Sequence, residues 1–270
     1  MYKEFYRLHE EPFNITPDPR FLYLTPQHRE ALNHLLYGIG ERKGFICLTG
    51  EVGTGKTTLC RALLNRLGAR YHTALILNPV LSNSQLLAAI LEEFGVETTG
   101  QEDRLGHLRG LYKFLLRVSS DGDDAVLIID EAQDMPLKGL EMIRLLSNLE
   151  TARQKLLQIV LVGQPELRDK IDQPCLRQLR QRITVRYHLG QMTRQDTEQY
   201  LRHRLRVAGA DGWPVFDRKA VRAIHRFARG TPRLVNALGD KSLLAGYVCN
   251  SGSISKKIVK LAVRELQGVG

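Results

Sequence analysis

Gly50-Glu51-Val52-Gly53-Thr54-Gly55-Lys56-Thr57 sets one glycine, four residues, then Gly-Lys-Thr, the spacing of a loop that holds phosphate. Phosphate oxygens need several donors in a small space. A glycine-rich turn between a strand and a helix points successive backbone N–H groups inward and adds the positive end of the helix. Lys56 would bridge the β- and γ-phosphates. The Thr57 hydroxyl would fill one position around Mg²⁺, an ion that takes few protein ligands and completes its octahedron with water and phosphate oxygens. With Thr58 next on the same helix, residues 50–58 are expected to bind the phosphates.

Val126-Leu127-Ile128-Ile129-Asp130-Glu131 is an apolar run that ends in two carboxylates, and ligands of open α/β sheets sit beyond the carboxyl ends of the strands. Asp130 is placed to hold Mg²⁺ through water. Glu131 is placed to orient and deprotonate the water that attacks the γ-phosphorus, which hydrolysis requires and simple nucleotide retention does not. A further run, Ile159 to Val162, ends in Gly163-Gln164. Its amide either holds the lytic water or a γ-phosphate oxygen, or is an ordinary loop group.

Leu176-Arg177-Gln178-Leu179-Arg180-Gln181-Arg182-Ile183 spaces its leucines three apart, which puts Arg177 and Arg180 on the opposite helical face and leads Arg182 into a strand. These arginines are either solvated or include a finger whose planar cation serves a neighbouring subunit's phosphoryl transfer. In Gly230-Thr231-Pro232-Arg233, Thr231 suits an N-cap and Pro232 a first helical position, so Arg233 falls in a first turn. From there it either reaches a γ-phosphate or adds one more charge to a basic region.

These residues need a frame, and the chain alternates short apolar runs with helical patterns from about residue 44 to 188, the signature of an α/β core with a parallel sheet. Strands are expected over Phe45–Thr49, Thr73–Leu77, Ala125–Ile129, Gln158–Val162 and Ile183–Tyr187. Helices are expected over Thr57–Leu67 and after Ser82, where Ser82 and Gln85 form a capping box. After His188 four helical segments follow, near 193–208, 217–228, 232–247 and 255–266, and predict an all-helical second domain. Residues 1–43 form a proline-broken, aromatic leader ending in a helix over His28–Ile39. The expected domains are thus an arm (1–43), a nucleotide-binding core (44–189) and a basic helical lid (190–270). The leader's aromatics, near Phe13 or Tyr23, either cover an adenine ring or pack as an arm.

With 270 residues, 43% hydrophobic and 25% charged, the chain is neither disordered nor fibrous. It carries no membrane-spanning run and no signal-peptide core, so a cytoplasmic chain is expected. Cys47, Cys60, Cys175 and Cys249 lie far apart and read as reduced, mostly buried thiols. The net charge of +10 is uneven: residues 190–270 hold 15 Lys+Arg against six Asp+Glu and so carry +9 of it. A basic lobe is either a solvated face or a surface for an acidic partner such as nucleic acid, anionic lipid or a negatively charged protein face.

In this order, the lysine loop, Asp-Glu strand, Gln164, Arg182 and Gly-Thr-Pro-Arg resemble an AAA+ ATPase over nearly the whole chain. PFNITPDPRFLYLTPQHREALNHLLYGI, GEVGTGKTTLCRALLN, LIIDEAQ, RLLSNLE, LVGQPEL and LRQLRQRI look like the ExeA/GspA group, especially its short MSHA pilus biogenesis (MshM) branch. The resemblance implies a P-loop NTPase with a RecA-like parallel-sheet core and a smaller all-helical lid. It implies ATP and Mg²⁺ as ligands and hydrolysis between adjacent subunits of a homo-oligomeric ring or filament. It also implies work at the inner face of the inner membrane on a type II secretion secretin or a type IV pilus. Carried over by motif, Lys56 and Thr57 are Walker A, Asp130 and Glu131 Walker B, Gln164 sensor 1, Arg182 the finger with Arg180 next, and Arg233 sensor 2. Sensor 1 is more often Asn or Thr, and long ExeA-type chains continue into a membrane helix and a periplasmic peptidoglycan-binding domain that this sequence does not include. The rival expectations are a DNA-associated ATP switch, similar to AAA+ regulators of transposition, and a nucleotide-gated scaffold.

Overall fold

Strands that are apolar on both faces must be covered on both faces, and this drives a parallel sheet. In the computed structural model, which describes residues 1–14, 18–97, 103–151 and 154–268, five strands form it: β1 (Phe45–Gly50), β2 (Tyr71–Ile76), β3 (Asp124–Ile129), β4 (Leu157–Gly163) and β5 (Ile183–Leu189). Their order is β2-β3-β4-β1-β5, every pairing parallel. β1 and β4 are buried at every position, whereas edge strand β5 buries only its two ends. Thr49 of β1 is level with Gly163 of β4, and Ile129 of β3 with Leu161. The carboxyl ends of β1, β3 and β4 therefore share one edge, from which Glu51, Asp130 and Gln164 emerge.

Helices α1 (Tyr2–Phe5) and α2 (Pro26–Gly40) precede the sheet, and α3 (Lys56–Leu64) follows β1. α4 (Asn83–Glu93) and α5 (Arg104–Ser120) lie between β2 and β3, α6 (Leu137–Leu146) between β3 and β4, and α7 (Pro165–Ile171) and α8 (Arg177–Arg182) between β4 and β5. The Ser82–Gln85 capping box forms in both directions, at 3.3 and 3.0 Å. α3 begins one residue before the expected Thr57 and stops at Leu64 rather than Leu67, and α2 extends beyond His28–Ile39 at both ends.

By contacts the chain divides into two units, residues 28–51 with 59–189, and residues 1–27 with 52–58 and 190–270. In the first, Phe45, Leu127, Ile129, Leu161, Leu111 and Leu115 belong to one buried cluster joining the sheet to α5. In the second, α9 (Arg194–Val207), α10 (Arg218–Ala228), α11 (Pro232–Val248) and α12 (Lys256–Leu266) bury a separate core. That unit is not wholly helical as expected: β6 (Val215–Phe216) and β7 (Ser253–Ile254) form a short parallel pair. The N-terminal arm packs into it. Tyr6, Phe13 and Phe21 are 0–5% exposed, and the Arg204 guanidinium holds Pro12 and Asn14 carbonyls from above the Phe21 ring. Phe13 thus serves the packed-arm alternative, and the Tyr23 hydroxyl donates to Gln199. Cys47 and Cys60 are buried, but Cys175 and Cys249 are exposed, which corrects the expectation of mostly buried thiols. Among the described residues no helix is long and apolar enough to cross a membrane.

Candidate nucleotide site

β1 runs directly into the lysine loop. Gly53 and Gly55 take φ of +76° and +99°, a region that side chains resist by about 1–2 kcal/mol, so the turn requires glycine at both. Gly50 closes β1, Glu51 and Val52 are exposed, and Thr54 and Lys56 are buried at 1% and 5% exposure. Lys56 is the first residue of α3, with half-buried Thr57 and Thr58 following. The helix start therefore adds its own N–H groups beside the lysine.

Within the packing unit that holds residues 52–58, Arg233 lies against this loop. Its backbone N–H faces the Gly53 carbonyl at 3.5 Å. A Cβ on Gly53 would stand 3.0 Å from both the Arg233 Cβ and the Thr231 Cγ2. Gly53 thus serves a positive φ and a close approach at once. Pro232 opens α11 as expected, but Thr231 caps it without a side-chain hydrogen bond.

Asp130 follows β3 with 1% of its surface exposed. Its N–H continues the ladder to the Ile76 carbonyl at 2.8 Å, and its Oδ1 accepts the Glu131 N–H at 2.9 Å. Glu131 is left-handed, with φ 50° and ψ 37°, unusual for a residue with a side chain. The turn is stabilised by side-chain bonds: Glu131 Oε2 accepts from Gln133 Nε2 at 2.8 Å and Gln164 Nε2 at 3.3 Å. Glu131 and Gln164 therefore meet, as the shared strand edge implies. Gln133, which sequence reasoning missed, joins them through a bond from the Gln164 N–H to its Oε1 at 3.0 Å. Its only signal in sequence was being the next amide after the Asp-Glu pair.

Leu179 of α8 and its flanking Leu176 and Ile183 are buried, whereas Arg177 and Arg180 are exposed, as the leucine spacing predicts. Arg182 Nη1 donates to Ser147 Oγ at 2.6 Å and the Arg144 carbonyl at 3.4 Å, and Arg180 pairs with Asp172 at 3.8 Å. Both arginines thus have partners in their own chain.

Thr57 and Asp130 supply hard oxygen donors of the kind Mg²⁺ takes, and Asp130 is a buried carboxylate at a strand end. No group of three or more His, Cys, Asp or Glu forms a metal cage among the described residues. The Thr57 hydroxyl and the Asp130 carboxylate are each oxygen donors suited to a divalent ion that phosphate and water complete.

Residues 39–171 match the AAA domain family. The whole chain is 45% identical over 273 residues to the General secretion pathway protein A of Aeromonas hydrophila and covers 49% of it. The chain therefore spans about half the length of that curated relative. Among solved structures, the Aeropyrum pernix ORC1 protein in complex with DNA has a TM-score of 0.67 at 19% identity, over 95% of this chain and 69% of that one. The Thermotoga maritima RuvB Holliday junction branch migration motor has a TM-score of 0.58 at 20% identity, over 88% and 68%. These two share the fold. By its motifs and its parallel sheet the chain has a P-loop ATPase fold with an AAA domain over residues 39–171, and its whole length is similar to about half of a general secretion pathway protein A.

Proposed function

We propose that the chain hydrolyses Mg-ATP at the interfaces of a homo-oligomer and thereby drives assembly of envelope machinery, a type II secretion secretin or an MSHA-type pilus. In this reading Gly50–Thr58 hold the phosphates, Lys56 spans the β- and γ-phosphates, and Thr57 and Asp130 hold Mg²⁺, which neutralises developing charge on the phosphates. Glu131 takes the proton of the attacking water, Gln164 orients that water, and Arg233 binds the γ-phosphate from its helix start. Arg182 acts in trans, with Arg180 the alternative. The identity to a general secretion pathway protein A supports the envelope role. The observation that carries the hydrolytic reading is the Glu131 carboxylate held beside the end of β4 by two amides.

Phosphate release with saturating Mg-ATP tests it. Glu131→Gln is expected to lower kcat by about 10² to 10⁴ while ATP binding persists. Release by the wild type that stays at background, no greater than that of the variant, makes the chain a nucleotide-gated scaffold instead.

A second reading, association with nucleic acid, is favoured by one observation in the helical unit. α10 exposes Arg218, Lys219, Arg222 and Arg226, with Arg229 at its end, and α12, packed on it, exposes Lys256, Lys257, Lys260 and Arg264. Val221 and Ile224 of α10 and Ile258 and Val259 of α12 are buried, while Leu261 and Leu266 of α12 are exposed. Two rows of cations with so little apolar surface exposed between them suit a phosphate backbone better than insertion into a bilayer.

A further inference from the structure

We propose that Gln133 is a positioning residue for hydrolysis, setting the Glu131 carboxylate against the end of β4. This rests on the reading of Glu131 as the base. The left-handed Glu131 starts a 3₁₀ turn over Ala132–Asp134 that brings the Gln133 side chain back toward the strand ends. There its amide does two opposite jobs: Nε2 donates to Glu131 Oε2 at 2.8 Å and to Asp134 Oδ2 at 3.1 Å, while Oε1 accepts the Gln164 N–H at 3.0 Å. A carboxylate needs a donor and an N–H needs an acceptor, so the partners fix which way the amide points.

The residue is clamped from other sides as well. A Cβ on Gly163 would fall 2.8 Å from Gln133 Oε1, so glycine there makes room for the contact. The Lys170 ammonium on α7 donates to the Gln133 carbonyl and, at 2.7 Å, to that of Met135. Gln133 thus ties the segment after β3 to the segment after β4. With Oε2 committed to the Gln133 and Gln164 amides, the plane of the carboxylate is set and Oε1 is the oxygen that takes the proton.

A residue that merely braces two loops needs only its acceptor, and glutamate at this position supplies one. Gln133→Glu keeps an oxygen for the Gln164 N–H and nearly the same shape, but sets a second carboxylate about where Nε2 now meets Glu131. The experiment compares wild type, Gln133→Ala, Gln133→Glu and Glu131→Gln in the full chain for kcat, KM for ATP, ATP binding and thermal unfolding. The positioning role predicts that both Gln133 variants lose about 10- to 100-fold in kcat, with KM and ATP binding within about twofold and cooperative unfolding kept. Wild-type kcat in Gln133→Glu overturns the proposal, as does loss of folding in both variants, which would make Gln133 a structural brace. If Glu131→Gln retains full activity, the assignment of the base fails instead; if it is inactive while both Gln133 variants turn over normally, only the positioning role fails.

Discussion

At the scale of residues, backbone positions that tolerate only glycine bring Arg233 to the lysine loop. Gly230 has φ +76°, its carbonyl accepts the Met192 N–H at 3.0 Å, and an added Cβ would lie 2.1 Å from the Met192 carbonyl oxygen. That neighbour is backbone and cannot rotate away. Gly212 has a similar φ of +74° but nothing within 4 Å of an added Cβ, so the two glycines separate strain from collision. Gly212→Ala is expected to cost about 1–2 kcal/mol, the left-handed penalty alone. Gly230→Ala is expected to cost roughly 2–5 kcal/mol, because overpacking adds a further 1–3 kcal/mol to the left-handed penalty. Denaturant unfolding of the two variants measures the difference, and equal losses would show that the Met192 contact relaxes freely. Since Thr231-Pro232-Arg233 follows at once, Gly230→Ala should also reduce ATP turnover by more than Gly212→Ala does.

At the scale of elements, what sequence discloses depends on whether the signal is local. β1, β3 and β4 were legible because central parallel strands are continuously apolar, and Ser82–Gln85 because a capping box spans only four residues. β6 and β7 were not: each has two residues, and Val215 meets Ser253 across a stretch that no short periodicity records. The arm's aromatics left their partner open, and the structure packs Tyr6, Phe13 and Phe21 into the core of α9 to α12. Gln133 was missed because its role depends on the left-handed turn at Glu131, which a sequence of common helix formers does not advertise. The same helices carry a testable pH response. Burial lowers the pKa of His203 on α9 and of His225 on α10 below the ordinary 6.5, with Arg204 and Arg206 adding to the effect on His203 and Arg194 to that on His225. The folded state then binds fewer protons than the unfolded chain once pH falls below about 6.5, so the histidines' stability contribution is intact above that pH and shrinks toward the folded pKa. The thermal midpoint should fall between pH 7.5 and pH 5.5. It should fall less in the double variant His203→Gln/His225→Gln, and an unchanged slope would assign the acid sensitivity to other groups.

At the scale of the whole molecule, charge is distributed by region, with residues 190–270 carrying +9 of a net +10. Arg218, Arg222 and Arg226 recur every four residues along α10, about 6 Å per step by helix geometry, and Lys256, Lys260 and Arg264 repeat the pattern on α12. The acid in the last turns of α12, Glu265, is engaged by Lys241, so it does not offset the rows. Such a face should bind duplex DNA weakly and without regard to sequence, with Kd on the order of 10⁻⁴ to 10⁻⁶ M at physiological salt, and log K should fall linearly with log salt. Each phosphate contact adds about 0.9 to that slope, so Arg218→Glu/Arg222→Glu/Arg226→Glu should reduce it by about three while leaving basal ATP turnover unchanged. Titration of a labelled duplex at several salt concentrations reads both quantities, and anionic vesicles run in parallel distinguish a phosphate backbone from a lipid surface. Retention of the wild-type slope in the triple variant, or binding to vesicles but not to duplex, would remove nucleic acid as the partner of this face and leave the envelope reading unaccompanied.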